Sequence, residues 1–142
     1  MIIYALNFFV TILIGSMIFF MAVVSPSVFA TLSTNASSKF LRIIFPRMFL
    51  FGFIIAFLSL ILSYISGNIL NSILLVIVAV SFIINRNYLT SKINNFRDKE
   101  LEGDKKASSS FKYMHLLSVL LFLLNFVILI GVLINNYLNY NL

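Results

Sequence analysis

The residues best suited to chemistry lie on one predicted helix near the end of the chain. His115, Ser118 and Asn125 are three and seven residues apart, so at about 100° per residue they fall within about 80° of one face. Polar side chains in so apolar a segment are expected to face protein rather than lipid. His115 is the only histidine of the 142 residues. Its imidazole could bind a haem iron or make one interhelical hydrogen bond.

Two arginines border predicted helices at a depth similar to that of His115. Arg47 begins the second apolar segment and Arg86 ends the third. In a compact bundle these three groups could converge on a positively charged cavity mouth. We therefore predict His115, Arg47 and Arg86 as the catalytic and ligand-binding residues, with Ser118 and Asn125 beside them. The alternative is that the arginines reach toward lipid headgroups and His115 makes one hydrogen bond within the bundle.

Residues that the sequence lacks exclude several kinds of site. No Asp or Glu lies in a predicted membrane segment, which argues against a carboxylate proton relay and a Ser-His-Asp hydrolase. The chain has no cysteine, and one histidine cannot build a zinc site of three or four ligands. A haem iron, by contrast, needs one imidazole, and haem propionates favour nearby cations. Haem b is therefore compatible with the sequence, with His115 as the metal ligand and Met48 or Met114 at the second axial position.

The elements that position these residues belong to a membrane protein. Hydrophobic residues make up 61% of the chain and charged residues 10%, and the mean hydropathy is +1.08. A soluble domain of this length needs more charge, whereas lipid solvates an apolar surface. The net charge of +6 is then explained by membrane topology and by anionic headgroups, and nucleic-acid binding is not expected.

Four apolar segments predict an all-α, integral membrane four-helix bundle. The chain forms a single domain, residues 1–142, with helices at about 2–24, 46–65, 69–86 and 111–134. No Lys or Arg precedes Lys39, so the first helix is not expected to be a cleaved signal peptide.

Local signals predict where the helices begin and end. Ser25-Pro26-Ser27 is expected to end the first helix, and Pro46 to kink the second or start it. Ser66-Gly67-Asn68 predicts a turn, and Ser108-Ser109-Ser110 offers a cap for the fourth helix.

The basic residues predict the orientation of the chain. Three of the ten Lys and Arg residues lie between the first and second helices, and seven lie between the third and fourth. By the positive-inside rule, the loops at 25–45 and 87–110 are cytoplasmic and both termini lie outside. We expect a multi-pass protein of the cell (inner) membrane.

Small residues indicate how the helices pack. One face of the second helix presents them at steps of four, three and four, namely Gly52, Ala56, Ser59 and Ser63. A looser stripe on the first helix consists of Asn7, Thr11 and Gly15. Both stripes predict close helix packing rather than chemistry.

Three motifs stand out: Val24-Ser25-Pro26-Ser27-Val28-Phe29, Phe45-Pro46-Arg47-Met48-Phe49 and Met114-His115-Leu116-Leu117-Ser118. With these motifs the sequence resembles the transmembrane protein 205-like family of small four-helix membrane proteins, over nearly the whole chain. That family is similar in size and helix layout to the copper-resistance CopD type and to HemJ-type protoporphyrinogen IX oxidase. The resemblance implies a haem-dependent, tetrapyrrole-handling oxidoreductase of porphyrin biosynthesis, with His115 as the haem ligand and Arg47 and Arg86 holding carboxylates.

Three functions are compatible with the sequence. The first is this protoporphyrinogen oxidase-like enzyme, and the second is a non-enzymatic membrane module that binds or moves a small anionic amphiphile. The third is a structural or assembly subunit. The expected partners are anionic lipid headgroups on the loop side and a porphyrin or another anionic amphiphile. A homo-oligomer is also compatible with the sequence.

Overall fold

Four long helices form the protein, and the computed structural model describes residues 1–140. The helical stretches are Ile2–Thr31, Thr34–Ile65, Ile69–Leu101 and Lys105–Tyr140. All four are long and apolar enough to cross a membrane, and the described residues contain no strand. The predicted all-α four-helix membrane bundle is confirmed.

Two of the four stretches contain a wider π-helical turn. The first comprises α1 (Ile2–Phe19), a π turn (Phe20–Val24) and α2 (Ser25–Thr31). The second is α3 (Thr34–Ile65). The third comprises α4 (Ile69–Ile84), a π turn (Asn85–Leu89) and α5 (Thr90–Leu101), and the fourth is α6 (Lys105–Tyr140).

The predicted end of the first helix at Ser25-Pro26-Ser27 was wrong, because the helix accommodates Pro26. Proline has no N–H to donate to the carbonyl of Ala22, and its ring crowds that carbonyl. The turn before it widens instead, and the N–H of Ser25 donates to the carbonyl of Phe20, five residues back. The helix thus continues as α2.

The other helices also extend beyond their predicted bounds. The second starts at Thr34, with Pro46 inside it; the third ends at Leu101, and the fourth starts at Lys105. At 1.5 Å per residue the second is about 48 Å long, against about 30 Å of hydrocarbon. The segments predicted as loops at 25–45 and 87–110 are therefore mostly helical, and the connecting turns are Leu32-Ser33 and Glu102-Gly103-Asp104.

We call the side of the bundle that holds these two turns the charged side. The opposite side holds both ends of the described chain and the Gly67 turn. The apolar part of the third helix ends near Ile84, and the polar α5 projects beyond the membrane-spanning segment on the charged side. There α5 packs along the first turns of α6.

Turn residues explain the connections. Gly67 has a φ of 77° and Gly103 a φ of 97°, values that favour glycine, and the predicted turn at Gly67 is confirmed. The fourth helix is capped by Asp104 instead of the serines at 108–110. The Oδ1 of Asp104 accepts from the N–H groups of Lys106 and Ala107 at 2.8 and 3.3 Å.

The small-residue face of α3 packs as predicted, since Gly52, Ala56, Ser59 and Ser63 are all buried. The stripe predicted on the first helix is wrong in part, because Thr11 and Gly15 are exposed and only Asn7 contacts another helix through a hydrogen bond. The large apolar side chains of α1 occupy the core instead, namely Leu6, Val10, Leu13 and Met17.

The most completely buried layer of the core, which we call the dry layer, lies in the half of the bundle away from the charged side. It contains leucines and valines with no exposed surface from three helices: Leu6, Val10, Leu75, Val78, Leu129 and Val132. This layer packs α1, α4 and α6 together, while the charged half of the bundle contains a cavity.

Candidate functional site: a cavity on the charged side

A cavity of about 590 Å³ lies between α2, α3, α5 and α6. Its volume falls within the range of roughly 300–1,000 Å³ that is usual for small-molecule sites. Phenylalanines line its inner part: Phe45 stacks on Phe49 with ring centroids 6.0 Å apart, and Phe49 meets Phe122 edge-on at 6.5 Å. This part of the cavity suits an apolar or aromatic group.

Polar groups line the outer part of the cavity. Arg42, Arg97 and His115 lie there, together with hydroxyl groups that include those of Ser37 and Thr90. Arg42 is seven residues from Phe49, which is about 10 Å along α3. The cavity therefore changes from cationic and polar near the charged side to aromatic toward the middle of the bundle.

Arg97, Phe111 and His115 form a stack along the cavity wall. The guanidinium carbon of Arg97 lies 5.3 Å from the centroid of the Phe111 ring, a cation–π contact. The Phe111 ring is nearly parallel to that of His115, at 11° and with centroids 6.0 Å apart. The guanidinium of Arg97 thus contacts the ring of Phe111, and the imidazole of His115, which is an exposed residue, packs on that ring in turn.

Each cavity arginine also has a carboxylate partner. Both terminal guanidinium nitrogens of Arg42 donate to the carboxylate of Asp98, which ties α3 to α5. Arg97 donates to Glu100 at 2.5 Å, and the hydroxyl of Ser108 donates to the same carboxylate at 2.7 Å. These pairs hold the two arginines in place.

Each ion pair lowers the pKa of its acid but occupies only part of the guanidinium group. The Arg42 guanidinium lowers the pKa of Asp98, and hydrogen bonds from Ser108 and then Arg97 lower the pKa of Glu100. A guanidinium carries five N–H donors, so a carboxylate that accepts two leaves others for a ligand. Both arginine side chains keep about a third of their surface exposed, at 33% and 30%.

The cavity is open sideways between α2 and α6. Both helices line it, yet α2 packs against α3 and not against α6. On the two sides of this gap, Phe29 is 64% exposed and Val119 is 39% exposed. The cavity is therefore accessible from the side of the bundle, beside α2.

The structure brings only some of the predicted site residues to this cavity. His115 and Ser118 line it, whereas Arg47 and Arg86 are not among its lining residues. Arg47 is exposed, and Arg86 is half-buried and donates to Asn87 at 3.4 Å. Asn125 is fully buried, away from the cavity. The predicted grouping of His115 with Arg47 and Arg86 is replaced by one with Arg42 and Arg97.

Depth alone does not separate Arg86 from His115. The hydroxyl of Ser118 donates to the Oδ1 of Asn85 at 2.6 Å, so α6 and the third helical stretch are level at this point. Arg86 is one residue and His115 three residues closer to the charged side, so their depths differ by only about 3 Å. Arg86 is nevertheless not a lining residue of the cavity, whereas Arg97, eleven residues farther along the same stretch, is. The helical extensions carry Arg42 and Arg97 to the cavity, and the sequence predicted these extensions as loops.

A metal site of several side chains is not formed. Within residues 1–140, no group of three or more His, Asp or Glu side chains is placed to hold a metal ion. A haem iron needs only one or two axial ligands from the protein. Of the candidate ligands, His115 and Met48 line the cavity, and Met114 does not. An imidazole, a thioether and two guanidinium groups therefore line one cavity, and these are the types of group that hold haem b in proteins.

The model of one protein family, described as "Domain of unknown function (DUF4149)", matches residues 8–102. The match covers most of the first helical stretch and all of the second and third, including Arg42 and Arg97, and it ends before α6, which carries His115, Ser118 and Asn125. Neither a curated protein nor a solved structure matched the chain.

Proposed function

Because the chain belongs to the DUF4149 family, for which no function is described, we propose a function from the cavity: the protein binds an anionic amphiphile taken from the bilayer. The single observation that carries the proposal is the polarity gradient of the cavity. Arg42, Arg97 and His115 lie at its outer end and Phe49 and Phe122 at its inner end.

This gradient matches the chemistry of an amphiphile in one leaflet. The anionic group would accept from the free guanidinium N–H groups, at the depth of the lipid headgroups on the charged side. The apolar part would lie against the phenylalanine rings, where burial of apolar surface stabilises it by about 25 cal/mol per Å². The sideways opening allows the ligand to enter without crossing water.

The test compares two pairs of arginines in the full-length protein. Extraction and mass spectrometry of the purified protein should find anionic amphiphiles that are depleted in the Arg42→Ala/Arg97→Ala variant. The Arg47→Ala/Arg86→Ala variant is the matched control, since it removes the same charge outside the cavity and should retain them. Equal retention by both variants would contradict the proposal.

A second candidate function is the haem-dependent, protoporphyrinogen oxidase-like enzyme that the sequence resemblance implies. The position of His115 and Met48 on the cavity wall favours it. His115 would hold the iron, and Arg42 and Arg97 would hold the propionates in the place predicted for Arg47 and Arg86. Haem b, when bound, supplies a one-electron redox centre. A kinship with the transmembrane protein 205-like, CopD and HemJ types belongs to this proposal.

The absorption spectrum of the purified protein tests this second candidate. A Soret band that is lost in His115→Ala and kept in Asn125→Leu would support it, as would rescue of a host that lacks protoporphyrinogen oxidase. A colourless protein that gains no Soret band when haem is added and rescues no such host would refute it, while leaving amphiphile binding intact.

A further inference from the structure

Three buried side chains, on the third helical stretch and on α6, have polar atoms without a hydrogen-bond partner. Asn125 has no exposed surface, and neither its Nδ2 nor its Oδ1 is bonded. The Nδ2 of Asn85 and the Oγ of Ser81 are also unpaired, and these residues are 0% and 6% exposed. Each unpaired buried group costs about 1–3 kcal/mol, and folded proteins rarely leave several together.

The register of the two helices spreads these groups over about 10 Å along the bundle, with Ser81 between Asn85 and Asn125. The hydroxyl of Ser118 donates to the Oδ1 of Asn85 at 2.6 Å, which sets α6 level with α4 at this point. Asn125 lies about 10 Å farther from the charged side, and Ser81 about 6 Å farther. The unpaired atoms of Asn125 and Ser81 are therefore separated by about one helical turn or less along the bundle.

The balance of donors and acceptors limits what can fill this place. Two carboxamide NH₂ groups and one hydroxyl offer donors, whereas the side-chain acceptors are one carbonyl oxygen and the hydroxyl oxygen. Ser81 does not donate back to its own helix as Ser59 does, whose hydroxyl bonds to the carbonyl of Ile55 at 2.8 Å. A molecule that binds between these residues must therefore supply lone pairs.

The lack of charged groups at these three residues limits which ligand can bind there. A bare anion in this low-dielectric interior would be very costly without a cation beside it. Arg86 follows Asn85 in sequence but donates to Asn87, and Asn125 lies about 10 Å deeper in the bundle. A cation is disfavoured because donors outnumber acceptors. Water is neutral, small and able both to accept and to donate. We propose that Asn125, Ser81 and Asn85 form a buried water-binding site between α4 and α6.

Asn125, Ser81 and Asn85 do not line the cavity, so this site is distinct from it. Of the four residues, only Ser118 lines the cavity, so the Ser118–Asn85 bond connects the two places. On the far side the water site meets the dry layer, where Leu129 is one turn beyond Asn125 and has no exposed surface. The proposed water-binding site therefore stops at this buried layer and does not form a continuous path through the bundle.

The test uses nuclear magnetic resonance of the intact chain, labelled with ¹⁵N and held in perdeuterated detergent. The side-chain NH₂ groups of Asn125 and Asn85 should show Overhauser cross-peaks to water. The backbone N–H of Leu129 is the dry control at similar depth and should show none. The Asn125 signals are assigned by their loss in Asn125→Leu. The absence of water cross-peaks from the Asn125 NH₂ group would overturn the proposal.

Two further measurements keep the proposal testable if Asn125→Leu does not fold. Replacing chloride by gluconate should leave the cross-peaks unchanged, and their loss would identify a bound anion instead. A density map that resolves ordered water should show it bonded to Asn125. Direct bonds of Asn125 to Ser81 and Asn85, with no water between them, would overturn the site.

Discussion

Gly52 on α3 lies directly against the ring of Phe82 on α4. A Cβ built on Gly52 would come within 2.7 Å of two carbons of that ring, closer than side chains approach one another. Phe82 is buried, at 1% exposed, and packs against Phe49, which lines the cavity. The glycine thus allows the aromatic group behind the cavity to pack.

We expect Gly52→Leu to destabilise the protein by about 1–3 kcal/mol or more, because the added atoms displace Phe82 from a packed core. Gly15→Ala is the control, since nothing lies within 4 Å of a Cβ at that position and alanine favours a helix. Thermal unfolding in detergent measures both. If the protein is only a structural subunit, Gly52→Leu should also impair it more than His115→Ala does.

Asn136 should matter more for stability than Asn125. The Oδ1 of Asn136 accepts from Asn71 and its Nδ2 donates to Asn7, both at 2.6 Å, so it ties α6 to α4 and α1. Interhelical hydrogen bonds in membranes contribute about 0.6 kcal/mol on average, up to about 1.7. Asn136→Leu should therefore lower the melting temperature, while Asn125→Leu, which removes no protein–protein bond, should not. The reverse order would contradict this assignment.

The ion pair of Asp98 with Arg42 should make stability depend on pH. The guanidinium lowers the pKa of Asp98 from its ordinary value of 3.8, so the pair contributes fully above that value and is lost as pH falls through the lowered pKa. Asp98→Asn should then be less stable than the unaltered protein at neutral pH and equal to it in strong acid. Melting curves over this pH range measure the difference. The stability difference at neutral pH should be small, because the ion pair is exposed. A difference that persists in strong acid would indicate another cause.

Cysteine labelling tests the orientation that the basic residues predict. The chain has no cysteine, so single substitutions give an unambiguous signal. In intact cells, a membrane-impermeant maleimide should label Asn139→Cys and leave Glu102→Cys unlabelled until the membrane is opened. Labelling of Glu102→Cys alone in intact cells would show the opposite orientation.

The sequence by itself determined the class of the protein, its four spans and the grouping of its cations on one side. These properties follow from hydropathy and charge count, which need no knowledge of contacts. The turn at Gly67 and the buried face around Gly52 were also predictable, because glycine conformation and small-residue spacing act locally.

Only the tertiary structure decided which polar groups meet. Hydropathy falls where a helix leaves the lipid, so the polar turns that carry Arg42 and Arg97 resembled loops in the sequence, although the chain stays helical there. This extension brings Arg97 onto Phe111, which stacks on His115, whereas Arg47 and Arg86 do not line the cavity. The pairing of Asn85 with Ser118 likewise depends on the register of two distant helices, which no local pattern specifies.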